Sequence, residues 1–94
     1  MIRHVVMWQF KEDEEENMHR FLEGLKALDG QIPALKSMEI GVSMNPANNF
    51  DAVLIAEFDS MEDLETYKND PRHQAVAKIC KAIRRERAAV DFEE

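Results

Sequence analysis

Cys80 is the only cysteine in this chain of 94 residues. An intrachain disulfide and any multi-cysteine metal site are therefore excluded. It sits among apolar residues at helical spacing and reads as a small core residue rather than a nucleophile. Positive charge is also short: 12 Lys and Arg face 19 Asp and Glu, giving a net charge of −7. Nucleic-acid binding needs clustered cations that neutralise phosphates, so this balance argues against it, and against anionic membranes too. No apolar run approaches the ~20 residues of a membrane span, and the first residues lack the basic-then-apolar layout of a secretory signal. A cytoplasmic protein is the expectation. Repeats, low-complexity tracts and long linkers are lacking as well. The remaining composition, 45% hydrophobic and 33% charged, suits one domain over residues 1–94 with a modest core.

The first segment, Ile2 to Phe10, is rich in β-branched and aromatic residues and reads as a strand. Ile2, His4, Val6, Trp8 and Phe10 share one face, and Val5 and Met7 make the middle of the other face apolar. The acidic run Glu12 to Glu16 fits the positive end of a helix dipole. From about Asp13 to Leu28, the residues Met18, Phe21, Leu22, Leu25 and Leu28 recur at spacings of three and four, which predicts an amphipathic helix stopped by Asp29-Gly30. A second strand is expected over about Leu35 to Met44, with Met38, Ile40 and Val42 opposite Ser37, Glu39, Gly41 and Ser43. Asn45 to Asn49 is turn chemistry. Asp51 to Phe58 predicts a third strand, on which Val53 and Ile55 oppose Ala52, Leu54, Ala56 and Phe58.

Ser60-Met61-Glu62-Asp63 has the form of a capping box and predicts a short helix to about Asn69. Asp70-Pro71 then reads as an N-cap followed by proline at the first helical position. The helix it opens carries Val76, Ala77, Ile79, Cys80 and Ile83 on one face, with Arg84, Arg85 and Arg87 at its solvated, negative end. A last strand is expected over about Arg87 to Phe92. The resulting order, β-α-β-β-α-β with the second helix broken near Pro71, is the split βαβ pattern of an α+β, ferredoxin-like fold with a four-stranded antiparallel sheet. Such a sheet carries its helices on one face. Val5, Met7, Val53 and Ile55 would lie at the centre of the bare face, with Ser37, Glu39, Gly41 and Ser43 at its rim. An apolar centre inside a polar rim is the composition of an interface, so a homodimer is expected.

These pieces together resemble the stress-responsive A/B barrel family of small dimeric α/β-barrels. The resemblance rests on Ile2-Arg3-His4-Val5-Val6 with Phe10-Lys11, Ile32-Pro33-Ala34-Leu35-Lys36, Phe58, Tyr67 with Pro71 and His73, and Asp91-Phe92. It implies a fold in which two ferredoxin-like units pair into a dimeric α/β-barrel. The family's plant cyclase that makes olivetolic acid is similar in using a Tyr and a His at this six-residue spacing. By that likeness His73 is a general base and Tyr67 a phenol that binds a carbonyl oxygen. His4, with Val6 and Trp8 on its strand face, would face the pocket, and Phe21, Leu25, Met38 and Leu54 would supply apolar walls. His73 at about the third helical position suits a neutral base, because the helix dipole disfavours imidazolium there. The chain departs from the cyclase at Asp70 and Ala52, where that enzyme has histidines.

Each of these residues also has a structural reading: a tyrosine ring packs and bonds through its hydroxyl, and a histidine satisfies a nearby polar group. No two of His4, His19 and His73 have metal-ligand spacing, so neither a metal nor a cofactor is implied. Three functions stay open. The first is a homodimer that binds an apolar or aromatic metabolite between sheet and helices. The second is a cofactor-independent cyclase or lyase using His73 and Tyr67, and the third is a non-catalytic structural or protein-interaction dimer. A filled space around His4, Tyr67 and His73 would favour the third.

Overall fold

The computed structural model describes residues 1–94. Its elements are β1 (Ile2–Phe10), α1 (Glu15–Lys26), β2 (Ser37–Val42), β3 (Ala52–Phe58), α2 (Met61–Asn69), α3 (Pro71–Ile83) and β4 (Arg84–Glu93). The strands form one antiparallel sheet in the order β2-β3-β1-β4, a ferredoxin-like arrangement with β1 and β3 in the centre. On β1 and β3 every second residue is buried: Ile2, His4, Val6, Trp8 and Phe10 on one strand, Ala52, Leu54, Ala56 and Phe58 on the other. These positions meet Phe21, Leu22 and Leu25 of α1, Leu64 of α2 and Ile83 of α3 in one core, so the helices cover this face. Each large apolar side chain fully buried there contributes about 1.5–3 kcal/mol. The other face is bare.

Local chemistry sets the helix starts. Glu15 and Glu16 place carboxylates in the first turn of α1, where the dipole favours them. The Ser60 hydroxyl accepts the Asp63 backbone N–H at 3.1 Å and caps α2. At α3, Asp70 accepts the Arg72 backbone N–H at 2.8 Å, and Pro71 occupies the first turn without losing a needed donor. The Arg72 guanidinium donates back to the Asp70 carboxylate and to the Gln31 carbonyl, fastening the start of α3 to the turn after α1. Further along, Gly24 lets α3 come close to α1: a Cβ at Gly24 would lie 3.2 Å from both Val76 methyl carbons.

Several boundaries differ from the sequence-based expectation. α1 stops at Lys26 rather than Leu28, because Leu28 and Asp29 bond back three residues instead of four, and Gly30 turns the chain at a φ of 91°. β2 is trimmed to Ser37–Val42. The helix end was expected to include Arg84 to Arg87, but Arg84 is already extended, and β4 pairs with β1 from Arg84↔Phe10 through Glu93↔Ile2. Ala, Arg and Glu are good helix formers, so local preference points to more helix there. Ladder bonds to β1 outweigh it.

Candidate functional site

Between α3 and the sheet, toward β4, lies a cleft of about 560 Å³. Val6 and Trp8 from β1, Leu54 from β3 and Phe21 and Leu25 from α1 supply its apolar lining, and Trp8 and Phe21 meet edge to face with ring centres 5.0 Å apart. His4 and His73 are on the same cleft. Two further hollows beside the β2–β3 loop, of about 630 and 700 Å³, are more open and gather no buried polar side chain.

His4 is only 3% exposed. Register places Asp91 of β4 directly opposite it, and the His4 Nδ1–H donates to the Asp91 carboxylate at 2.5 Å. That bond leaves Nε2 as the free nitrogen. Burial lowers the His4 pKa; Asp91 works against this, and the charges of Lys68 and Arg87 add to it. His73 is held differently. Its Nδ1–H donates to the Lys68 backbone carbonyl at 3.2 Å, again freeing Nε2, and burial first, with charge from His4, Lys68 and Arg87, lowers its pKa. Both imidazoles are thus neutral near pH 7.

Tyr67 stands between these histidines and the core. Its ring lies 4.5 Å from His73 and 5.1 Å from Phe58, and Phe58 in turn lies 6.4 Å from His4, so four rings form a chain. The Tyr67 side chain is fully buried, its hydroxyl has no hydrogen-bond partner within the chain, and burial raises its pKa, keeping it a phenol.

Of the residues expected at a site, the structure brings His4, Val6, Trp8, Phe21, Leu25, Leu54 and His73 to one cleft. Tyr67 packs on His73 without forming the wall. Met38 is elsewhere: β2 is the edge strand farthest from β4, and its side chain packs against the core away from the cleft. Sequence reading missed two features. Asp91 as the partner of His4 follows only from the β1–β4 register. Arg84, expected at a solvated helix end, and Arg87, expected where that end meets the last strand, are both strand residues on the rim of the cleft.

The stress-responsive A/B barrel domain family matches residues 2–94. A dimeric ferredoxin-like protein of unknown function from Bacteroides fragilis is 31% identical, with a TM-score of 0.92 over 99% of this chain and 95% of that one. A second dimeric ferredoxin-like protein of unknown function, from Thermobifida fusca, is 25% identical, with a TM-score of 0.89 over 99% and 90% of the two chains. The hydroxynitrile lyase of Passiflora edulis shares the fold at 18% identity, with a TM-score of 0.85 over 97% and 90%. No curated protein matches.

Proposed function

The chain belongs to the stress-responsive A/B barrel domain family, and from that premise we propose that it works as a homodimer that binds a small metabolite with an apolar or aromatic body. The observation that carries this reading is the cleft itself: about 560 Å³, floored by Trp8, Phe21 and Leu25, with two neutral histidines on its wall. Its size and its mixture of apolar lining with a few fixed polar groups suit a small-molecule site. Metabolites released from the denatured, purified protein test it. An apolar or aromatic compound should come from the wild type and be lost from Ala77→Phe, which fills the cleft from α3; equal retention by both proteins would refute the assignment.

Self-association is supported by the dimeric relatives and by the bare sheet face. Val5, Met7, Val53 and Ile55 share that face with Ala88, Val90 and Phe92 of β4, and Met7, Val90 and Phe92 are exposed in the single chain. Stacking two such faces removes them from water. The lone buried thiol of Cys80 suits a reducing compartment, and we place the protein in the cytoplasm.

A second reading, a cofactor-independent cyclase or lyase, is favoured by the hydrogen bond that fixes His73. With Nδ1 committed to the Lys68 carbonyl, Nε2 is free to take a proton, and the lowered pKa keeps it able to do so near pH 7. Tyr67, the phenol this reading pairs with His73, packs on the His73 ring with its hydroxyl unpaired and has no surface on the cleft. Under it His73→Ala abolishes turnover and leaves ligand affinity nearly unchanged; loss of affinity in step with turnover would make His73 a binding residue only.

A further inference from the structure

Charge around the cleft runs against the charge of the chain. The protein as a whole carries 19 carboxylates to 12 Lys and Arg, yet the cleft is lined by Lys68, Lys78, Lys81, Arg84 and Arg87 and by no Asp or Glu. Four of these five cations, Lys78, Lys81, Arg84 and Arg87, have no ion-pair partner, and Lys68 has only Glu65 at 4.0 Å. Asp91, beside the cleft, is already committed to His4.

The fold produces this concentration. α3 contributes no acidic residue from Pro71 to Ile83 and presents Lys78 and Lys81 on the side toward β4. The early start of β4 brings Arg84 to the end of α3, and register sets Arg87 opposite Trp8 on the helix-covered face. Glu86, opposite Gln9, falls on the other face. The positive field reaches inward, since Lys68 and Arg87 both act on His4 and on His73. Like charges gathered this closely repel one another, and a bound anion relieves the repulsion.

The geometry points to an amphipathic organic anion as the ligand: an aromatic or aliphatic body against Trp8, Phe21 and Leu25, with its carboxylate or phosphate held at the mouth by Arg84, Arg87 and the lysines. This rests on the cleft being the ligand site. Arginine is suited to the role, because its planar fork meets two oxygens of a carboxylate or phosphate at once.

Trp8 is the only tryptophan and it lines the cleft, so its indole N–H is a single reporter in a proton–nitrogen NMR titration of the full chain. The probes are 1-naphthoate and its neutral counterpart 1-naphthalenemethanol, with phenyl phosphate to separate phosphate from carboxylate preference. Naphthoate should bind more tightly than the alcohol by about tenfold at low salt, the gain expected from two partly exposed ion pairs, and the gap should narrow with added salt. Arg84→Gln combined with Arg87→Gln should narrow the gap, the remainder being carried by the lysines, while leaving the alcohol's affinity unchanged. If the alcohol binds as tightly as naphthoate, the anion assignment is overturned and the cleft survives as a neutral site. If neither probe moves the Trp8 signal at millimolar concentration, the cleft reading falls, and the anion assignment with it.

Discussion

Replacing Tyr67 with phenylalanine removes one oxygen from one of the two rings that have no exposed surface. That oxygen has no hydrogen-bond partner within the chain and the residue has no exposed surface. A buried polar group left unpaired costs about 1–3 kcal/mol, whereas the ring contacts to Phe58 and His73 are kept in the variant. The space vacated is a single atom, a cavity penalty well below that saving. Tyr67→Phe should therefore stabilise the ligand-free protein by about 1 kcal/mol, or raise Tm by roughly 4–8 °C for a domain of this size. Urea and thermal unfolding at matched protein concentration measure it, since the stability of a dimer depends on concentration. A loss of 1 kcal/mol or more would mean the hydroxyl is well bonded in solution and would refute the reasoning. The same variant should bind ligand more weakly if the hydroxyl is a donor in the site. A gain in stability joined to a loss in binding marks a group kept for function.

The two histidines make stability depend on pH. Both have folded pKa values below the ordinary 6.5, so the unfolded chain takes up protons first, and the urea midpoint should fall as pH drops from 7 toward 5; His73→Gln should flatten the slope. Asp70 acts in a lower window. Arg72 holds its carboxyl at about 2, so its contribution is full above the ordinary carboxylate range and is lost only as pH falls toward 2. In size-exclusion chromatography with light scattering, the wild type should run at twice the 10.9 kDa chain mass and Val90→Lys at the single mass; a monomeric wild type sinks the interface. Gly24→Ala should gain the ~1 kcal/mol of helix preference only in a Val76→Ala background, because the added methyl meets Val76 in the native pair. Equal effects in both backgrounds would show that α1 and α3 are not in close contact there.

Strong periodicity made the fold legible. The alternation on β1 and β3 and the three-and-four spacing on α1 correspond to the buried positions found. The Ser60 and Asp70 caps were equally readable, because each acts within three residues of sequence. Arg84 to Arg87 was misread for the opposite reason: its conformation is set by β1, more than 70 residues away in sequence, against its own helix preference. The candidate site divides the same way. Residues on well-patterned elements could be placed on the correct face, from His4 and Trp8 to Phe21, Leu25 and Leu54. Met38 has the right face but lies on the wrong edge of the sheet, and strand order is not written in the alternation of one strand. Asp91 and the cations around the cleft come from pairings between distant segments.

β4 alternates between two duties. Arg87 and Asp91 point with Trp8 and His4 toward the cleft, while Ala88, Val90 and Phe92 point with Met7, Val5 and Arg3 toward the bare face. The backbone of one edge strand is therefore shared by the wall of the proposed ligand site and the proposed dimer contact. If both form, whatever immobilises one side of β4 also lowers the entropy left to be lost on the other. Ligand binding and dimer formation would then favour each other by the same free energy in either order, so dilution would weaken the ligand and the ligand would resist dilution.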